Sequence, residues 1–89
     1  MFSTPPYTYC PANRWTTIFR GPALPFGLIN VGEQDIHHPR FQYRVCSVCP
    51  PYYYTGSTTG NVGIPVGATP WAELTVYPEA DCHLLATAY

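Results

Sequence analysis

Apolar and polar residues alternate most regularly in two stretches of this chain. From Arg40 to Val48, Phe41, Tyr43 and Val45 alternate with Arg40, Gln42 and Arg44. From Trp71 to Tyr77, Ala72, Leu74 and Val76 alternate with Trp71, Glu73, Thr75 and Tyr77. A period of two puts successive side chains on opposite sides of an extended backbone, so each stretch predicts a strand with one buried face. Weaker alternation runs from Arg14 to Arg20, with Trp15, Thr17 and Phe19 on one face and Thr16 and Ile18 on the other. Gly21-Pro22 predicts a turn that ends it. A short strand is expected from Phe26 to Val31, closing near Gly32.

The remaining segments read less sharply. Glu33 to Pro39 is a polar loop by composition. Tyr52-Tyr53-Tyr54 reads as extended. Thr55 to Asn61 reads as a flexible, exposed loop tip, since Gly, Ser, Thr and Asn dominate it. Val62 to Val66 reads as a short edge strand, because Pro65 has no N–H to give to a ladder. Cys82 to Tyr89 is apolar and fits either a strand or a short helix over Leu84 to Ala88.

The 11 prolines are scattered along the whole length, and few proline-free windows exceed ten residues. A helix interior does not accommodate proline, and the residue before each proline is pushed toward extended geometry. The segments between are rich in Thr, Val, Ile, Tyr, Phe and Trp, which suit strands. The chain is therefore expected to be all-β, a small sandwich or barrel-like domain of short strands. Residues 1–13, Pro-rich with Tyr7 and Tyr9, read as an extended N-terminal arm, and residues 14–89 as a single β domain.

Charge changes this picture. The 89 residues hold four arginines, five acids and no lysine. An ordinary soluble domain has about a quarter of its residues charged. Two Trp, eight Tyr, four Phe and the prolines take the place of the missing charges. A chain this short has a thin core and cannot hide all of them. Much of the surface is therefore expected to be covered by neighbours. The net charge of −1 gives no basic footprint for nucleic acid. Apolar runs of a few residues fall far short of the roughly 20 needed to span a bilayer, so no membrane insertion is expected. Met1-Phe2-Ser3 opens with neither a basic segment nor an apolar one, so no signal peptide is expected.

Candidate chemistry is sparse. Cys10, Cys46, Cys49 and Cys82 allow three readings: buried thiols, disulfides, or a four-thiolate zinc site. Cys46-Ser47-Val48-Cys49 has the C-x-x-C spacing of a zinc knuckle, but Cys10 and Cys82 are isolated. The buried-thiol reading leads, and no metal or other cofactor is favoured. His37, His38 and His83 read as polar loop or surface residues, with His83 beside Cys82 the one candidate for a mixed metal site. Glu33/Asp35 and Glu79/Asp81 sit two apart without any catalytic spacing. No nucleophile elbow, phosphate loop or H-E-x-x-H is present, so no enzyme is expected.

The aromatics carry the functional expectation. Tyr7, Tyr9, Trp15, Tyr52, Tyr53, Tyr54 and Trp71 are candidate interface anchors, because Tyr, Trp and Arg dominate binding hot spots. Three consecutive tyrosines on extended backbone cannot all face one core, so at least one must look outward. The leading expectation is a structural component of a larger assembly, such as a small viral or phage capsid decoration or cement protein. Its partners would be protein subunits, copies of itself included. It would be made in the host cytoplasm and reside in the virion. The alternatives are a glycan-binding module using the same aromatics, with Tyr53 and Trp71 foremost, and a zinc-stabilised adaptor.

Overall fold

The computed structural model describes residues 6–32 and 38–88. Most of the polar loop expected before Arg40, including Glu33, Asp35 and His37, lies outside the described residues, as do residues 1–5 of the arm. Eight strands are present: β1 (Thr8–Cys10), β2 (Thr16–Ala23), β3 (Phe26–Val31), β4 (Arg40–Cys46), β5 (Tyr54–Thr59), β6 (Val62–Pro65), β7 (Thr69–Pro78) and β8 (Cys82–Ala88). They form two four-stranded antiparallel sheets. The first has the order β1-β8-β3-β6 and the second β2-β7-β4-β5. The domain is all-β and sandwich-like, as the alternation and the prolines predicted.

The core lies between the sheets. Ile29, Val31, Ile64, Leu84, Cys10 and Cys82 come from the first sheet, and Ala23, Phe41, Tyr43, Val45, Ala72, Leu74 and Val76 from the second. The two stretches of strict alternation are β4 and β7, neighbours at the centre of the second sheet. Their register places Tyr43 opposite Val76 and Val45 opposite Leu74. The residues expected on the buried face of each are buried.

Several local expectations are corrected. The first strand does not stop at Gly21-Pro22 but runs to Ala23. β2 is an edge strand, so the missing N–H of Pro22 breaks no central ladder. Register shifts fall at Thr17/Phe19 and at Gly21/Ala23. Gly21 takes φ 147°, a conformation that favours glycine. The first shift undoes the expected alternation, and Ile18 and Phe19 both pack against the core. The expected loop from Thr55 to Asn61 is mostly strand β5. Its threonines are β-branched and suit a half-exposed edge, and Gly56 fits where any side chain would collide with Tyr43. The last segment is strand β8, not a helix. β4 ends at Cys46 rather than Val48.

The sheet edges are treated unequally. β1 has three residues, β6 ends on Pro65, and β2 carries the Gly21-Pro22 irregularity. β5 has six residues with neither proline nor charge.

Within residues 1–13, Thr8–Cys10 pair with Leu84–Cys82 of β8. Asp81 clips this edge strand in place. Its carboxylate accepts the Ala12 N–H at 2.7 Å and the Tyr9 hydroxyl at 2.9 Å. These bonds, the backbone one first, hold the Asp81 carboxyl below the usual aspartate value. The same hydroxyl bond raises the Tyr9 phenol. A depressed folded-state pKa adds stability that is present above the unfolded value and lost as pH falls through the folded one. The clip is therefore expected to open on acidification below about 3.8, the ordinary value for this carboxyl. Hydrogen exchange at Thr8–Cys10 and Ala12 should quicken there. Asp81→Asn should show the same fast exchange already at neutral pH, with exchange in β4 and β7 unchanged.

Gly56 gives a second test. A Cβ built there overlaps the Tyr43 phenol, and Tyr43 is almost fully buried. Gly56→Ala is expected to cost about 1–3 kcal/mol, the usual range for overpacking. Thermal melting should drop by several degrees, whereas Ser57→Ala on the exposed side of the same strand should leave it unchanged.

Candidate functional site

Strand register gathers four segments at one end of the sandwich. Ala23 lies opposite Thr69, Phe26 opposite Pro65, Gly27 opposite Ala88, and Val45 opposite Tyr54. The β2–β3, β4–β5 and β6–β7 connections therefore meet there with the end of β8. Residues 21–27, 47–54, 65–72 and 86–88 contain no Asp, Glu, Arg, Lys or His. They do contain six of the 11 prolines, at 22, 25, 50, 51, 65 and 70.

This end also carries Leu24, Phe26, Val48, Tyr53 and Trp71, five of the seven exposed large apolar side chains among the described residues. Val48 is 79% exposed and the others about half. Hydrogen bonds tie three of the segments together. The Val66 and Gly67 N–H groups donate to the Pro25 carbonyl, and the Tyr53 hydroxyl donates to the Val66 carbonyl at 3.0 Å. Leu24 and Phe26 flank Pro25, whose ring limits the local backbone. All five are exposed. Beneath them, between the sheets, lies an apolar pit of about 20 Å³ bordered by Phe19, Leu24, Val66 and Leu74. Small-molecule sites occupy roughly 300–1,000 Å³, so this end offers a surface rather than a pocket.

Among the described residues, one ion pair borders this end and other charges lie farther off. Arg14, Arg40, Glu79 and Asp81 lie toward the opposite end. Arg20 and Glu73 form a surface ion pair at 3.4 Å on the adjoining strands, with the Trp71 indole N–H also donating to Glu73 at 3.2 Å.

The predicted aromatics do not form one platform. Tyr53 and Trp71 belong to the uncharged end. Tyr54 packs on the core side, stacked on Tyr43 at 6.1 Å. Burial first, and then Tyr54, raises the Tyr43 phenol pKa. Tyr9 lies at the far end beside His83, with ring centroids 5.4 Å apart. Tyr7 is half-buried just before β1. On the outer face of the second sheet, Trp15 and Tyr52 both stack on Arg44. The Arg44 guanidinium sits 3.6 Å from the Trp15 ring and 3.9 Å from the Tyr52 ring. Trp15 also packs on Tyr77 at 5.3 Å.

A disulfide brings Tyr52 to this place. Cys46 follows Arg40, Gln42 and Arg44 on the outer side of β4, yet it is buried. It is bonded to Cys49, with Cα atoms 5.3 Å apart. The Tyr53 N–H returns to the Val45 carbonyl at 2.9 Å. The chain thus folds back over its own strand and lays Tyr52 on Arg44. This corrects the leading reading of four buried thiols. Cys46 and Cys49 are oxidised, and Cys10 and Cys82 are buried opposite each other on β1 and β8. The four cysteines are not brought together, and among the described residues no three His, Cys, Asp or Glu side chains converge as a metal site. Among the described residues, no helix is long and apolar enough to cross a membrane.

Leu24, Phe26 and Val48 were not singled out in the sequence. Phe26 opens β3 on its exposed side, and Leu24 and Val48 lie in the turns before β3 and after β4, where alternation gives them no buried face.

No protein-family model, curated protein or solved structure matches this chain.

The disulfide closes a very short loop, so its constraint on the unfolded chain is small, roughly 2 kcal/mol by loop-closure entropy. Replacing both Cys46 and Cys49 by alanine is expected to leave a folded sandwich with a modestly lower melting temperature. Exchange at residues 50–53 should rise sharply, and Trp15 fluorescence should shift as Tyr52 leaves Arg44. An unchanged Trp15 spectrum would show that the stack forms without the covalent link.

Proposed function

We propose that this chain is a non-enzymatic assembly module that docks its uncharged end on neighbouring protein subunits. We infer as its setting a viral or phage capsid, which it would decorate or cement. The observation that carries this reading is the end itself: three proline-bearing segments and the end of β8, none of them with a charged residue, and five large exposed apolar side chains.

The magnitudes favour a module used in many copies. Side chains of this kind present roughly 150–250 Å² each, so five of them about half exposed offer on the order of 500 Å². That is near the top of the range for the largest patch on a monomer, and such patches are often functional. At about 25 cal/mol per Å² its burial gains roughly 12 kcal/mol. Association of two bodies costs about 4–15 kcal/mol. The net one-to-one affinity is then weak, and repeated contacts on a shared lattice supply the rest through effective concentration. Two features support such packing. The proline-fixed loops have little conformational freedom left to lose on docking. A net charge of −1 sets up little repulsion between close copies.

Isolated protein is expected to self-associate through this end. Sedimentation velocity should show a concentration-dependent increase in mass. Val48→Glu, at the most exposed apolar position, should weaken that association about tenfold or more while leaving the melting temperature unchanged. A wild-type chain that stays monomeric up to about 1 mM, a concentration at which even weak contacts register, would overturn the reading.

A further inference from the structure

The outer face of the second sheet carries a different kind of surface. A groove there is lined by Trp15, Gln42, Arg44, Tyr52, Thr55 and Ser57. We propose that this groove binds a carboxylate-bearing sugar, with Arg44 as the receptor for the carboxylate.

Arg44 is prepared for that role. Its guanidinium lies over both the Trp15 and the Tyr52 rings, and its Nε donates to the Thr75 hydroxyl at 3.2 Å. Thr75 is its one hydrogen-bond acceptor among the described residues. Its Nε is taken by Thr75, and its Nη groups have no acceptor among the described residues. A planar guanidinium presented edge-on is the geometry that takes a carboxylate through two parallel hydrogen bonds. Little side-chain entropy remains to be lost, because stacking already fixes the plane. No acid competes for the position. Among the described residues the one ion pair joins Arg20 to Glu73, and no Asp or Glu lines the groove.

The rest of the lining fits a sugar ring rather than a bare anion. Gln42, Thr55 and Ser57 are exposed and project from the same side of β4 and β5 as Arg44. An amide and two hydroxyls both donate and accept, as sugar hydroxyls require. Ser57 Oγ accepts from Arg40 Nη1 at 3.3 Å, which leaves its own O–H to donate. The edges of Trp15 and Tyr52 supply apolar walls for the C–H face of the ring. Arg40 lies four residues along β4 from Arg44, about 13 Å in an extended strand, within reach of a second acidic residue on the same saccharide. Inorganic phosphate would meet Arg44 but offers mainly acceptors to the amide and hydroxyls beside it, and a short acidic peptide lacks the ring of hydroxyls that pairs with all three. The groove shares the 47–54 segment with the uncharged end through Tyr52, but none of the five exposed apolar side chains lines it, so the two readings are tested by different residues.

NMR titration of the ¹⁵N-labelled full chain tests the proposal with four probes: a trimer of galacturonic acid, the neutral galactose trimer, a glutamate tripeptide and inorganic phosphate. The uronate trimer is expected to shift Gln42, Thr55, Ser57 and the Arg44 side-chain Nε–H. It should bind about tenfold or more tightly than each of the other three. Arg44→Lys keeps the charge and loses the planar fork, and is expected to weaken the uronate about tenfold. Gln42→Ala, on an exposed position that does not support the fold, should weaken it severalfold with an unchanged melting curve. The absence of shifts at these residues up to about 10 mM uronate, in the weak range for a single site, would overturn the proposal. Equal binding of the glutamate tripeptide or phosphate, or full uronate affinity in both variants, would overturn it too.

Discussion

β4 and β7 lie side by side at the centre of the second sheet, and their register decides both faces of the molecule. With Tyr43 opposite Val76 and Val45 opposite Leu74, the core face holds Phe41, Tyr43, Val45, Ala72, Leu74 and Val76. The same register leaves Arg40, Gln42 and Arg44 outward beside Thr75 and Tyr77. A slip of one residue would exchange these sets, sending arginines inward and Phe41 into water. Burial of a guanidinium without a partner is too costly for that alternative to compete. The outer groove is therefore a by-product of the same constraint that builds the core.

This explains which parts of the fold were legible in the sequence. β4 and β7 each have one face of large apolar residues and one of polar residues, so periodicity alone revealed them. β5 has almost no apolar residue, and Thr55 to Thr59 looks like a loop until Tyr43 is seen to need Gly56 beneath it. β2 carries two irregularities, which no count of alternation anticipates. Scattered prolines ruled out helices because each removes an N–H and a helical turn. Pro22 and Pro65 fall on the edge strands β2 and β6, while Pro70 and Pro78 fall near the ends of the central strand β7.

The candidate sites were legible in part. Composition showed that exposed aromatics and missing charges belong together, but not where. Tyr53 and Trp71 come to the same end of the sandwich as Leu24, Phe26 and Val48 because three connections meet there. Trp15 and Tyr52 are 37 positions apart, and only the turn closed by Cys46 and Cys49 lays both on Arg44. The sequence treated the cysteines as one set of four. The fold divides them into a covalent pair on one sheet and a buried cross-strand pair on the other, because C-x-x-C at a strand end curls the chain back on itself.

The unequal treatment of the sheet edges has its own consequence. Three of the four edges are blunted by brevity, proline or irregular backbone, and β5 leaves its outer row of N–H and C=O groups regular. Antiparallel pairing of β5 with the same strand of a second molecule would follow a two-fold axis and use up that edge on both partners. Sheet extension in this architecture therefore has a built-in end point. It closes after one addition, and the blunted edges give a growing fibre nowhere to continue.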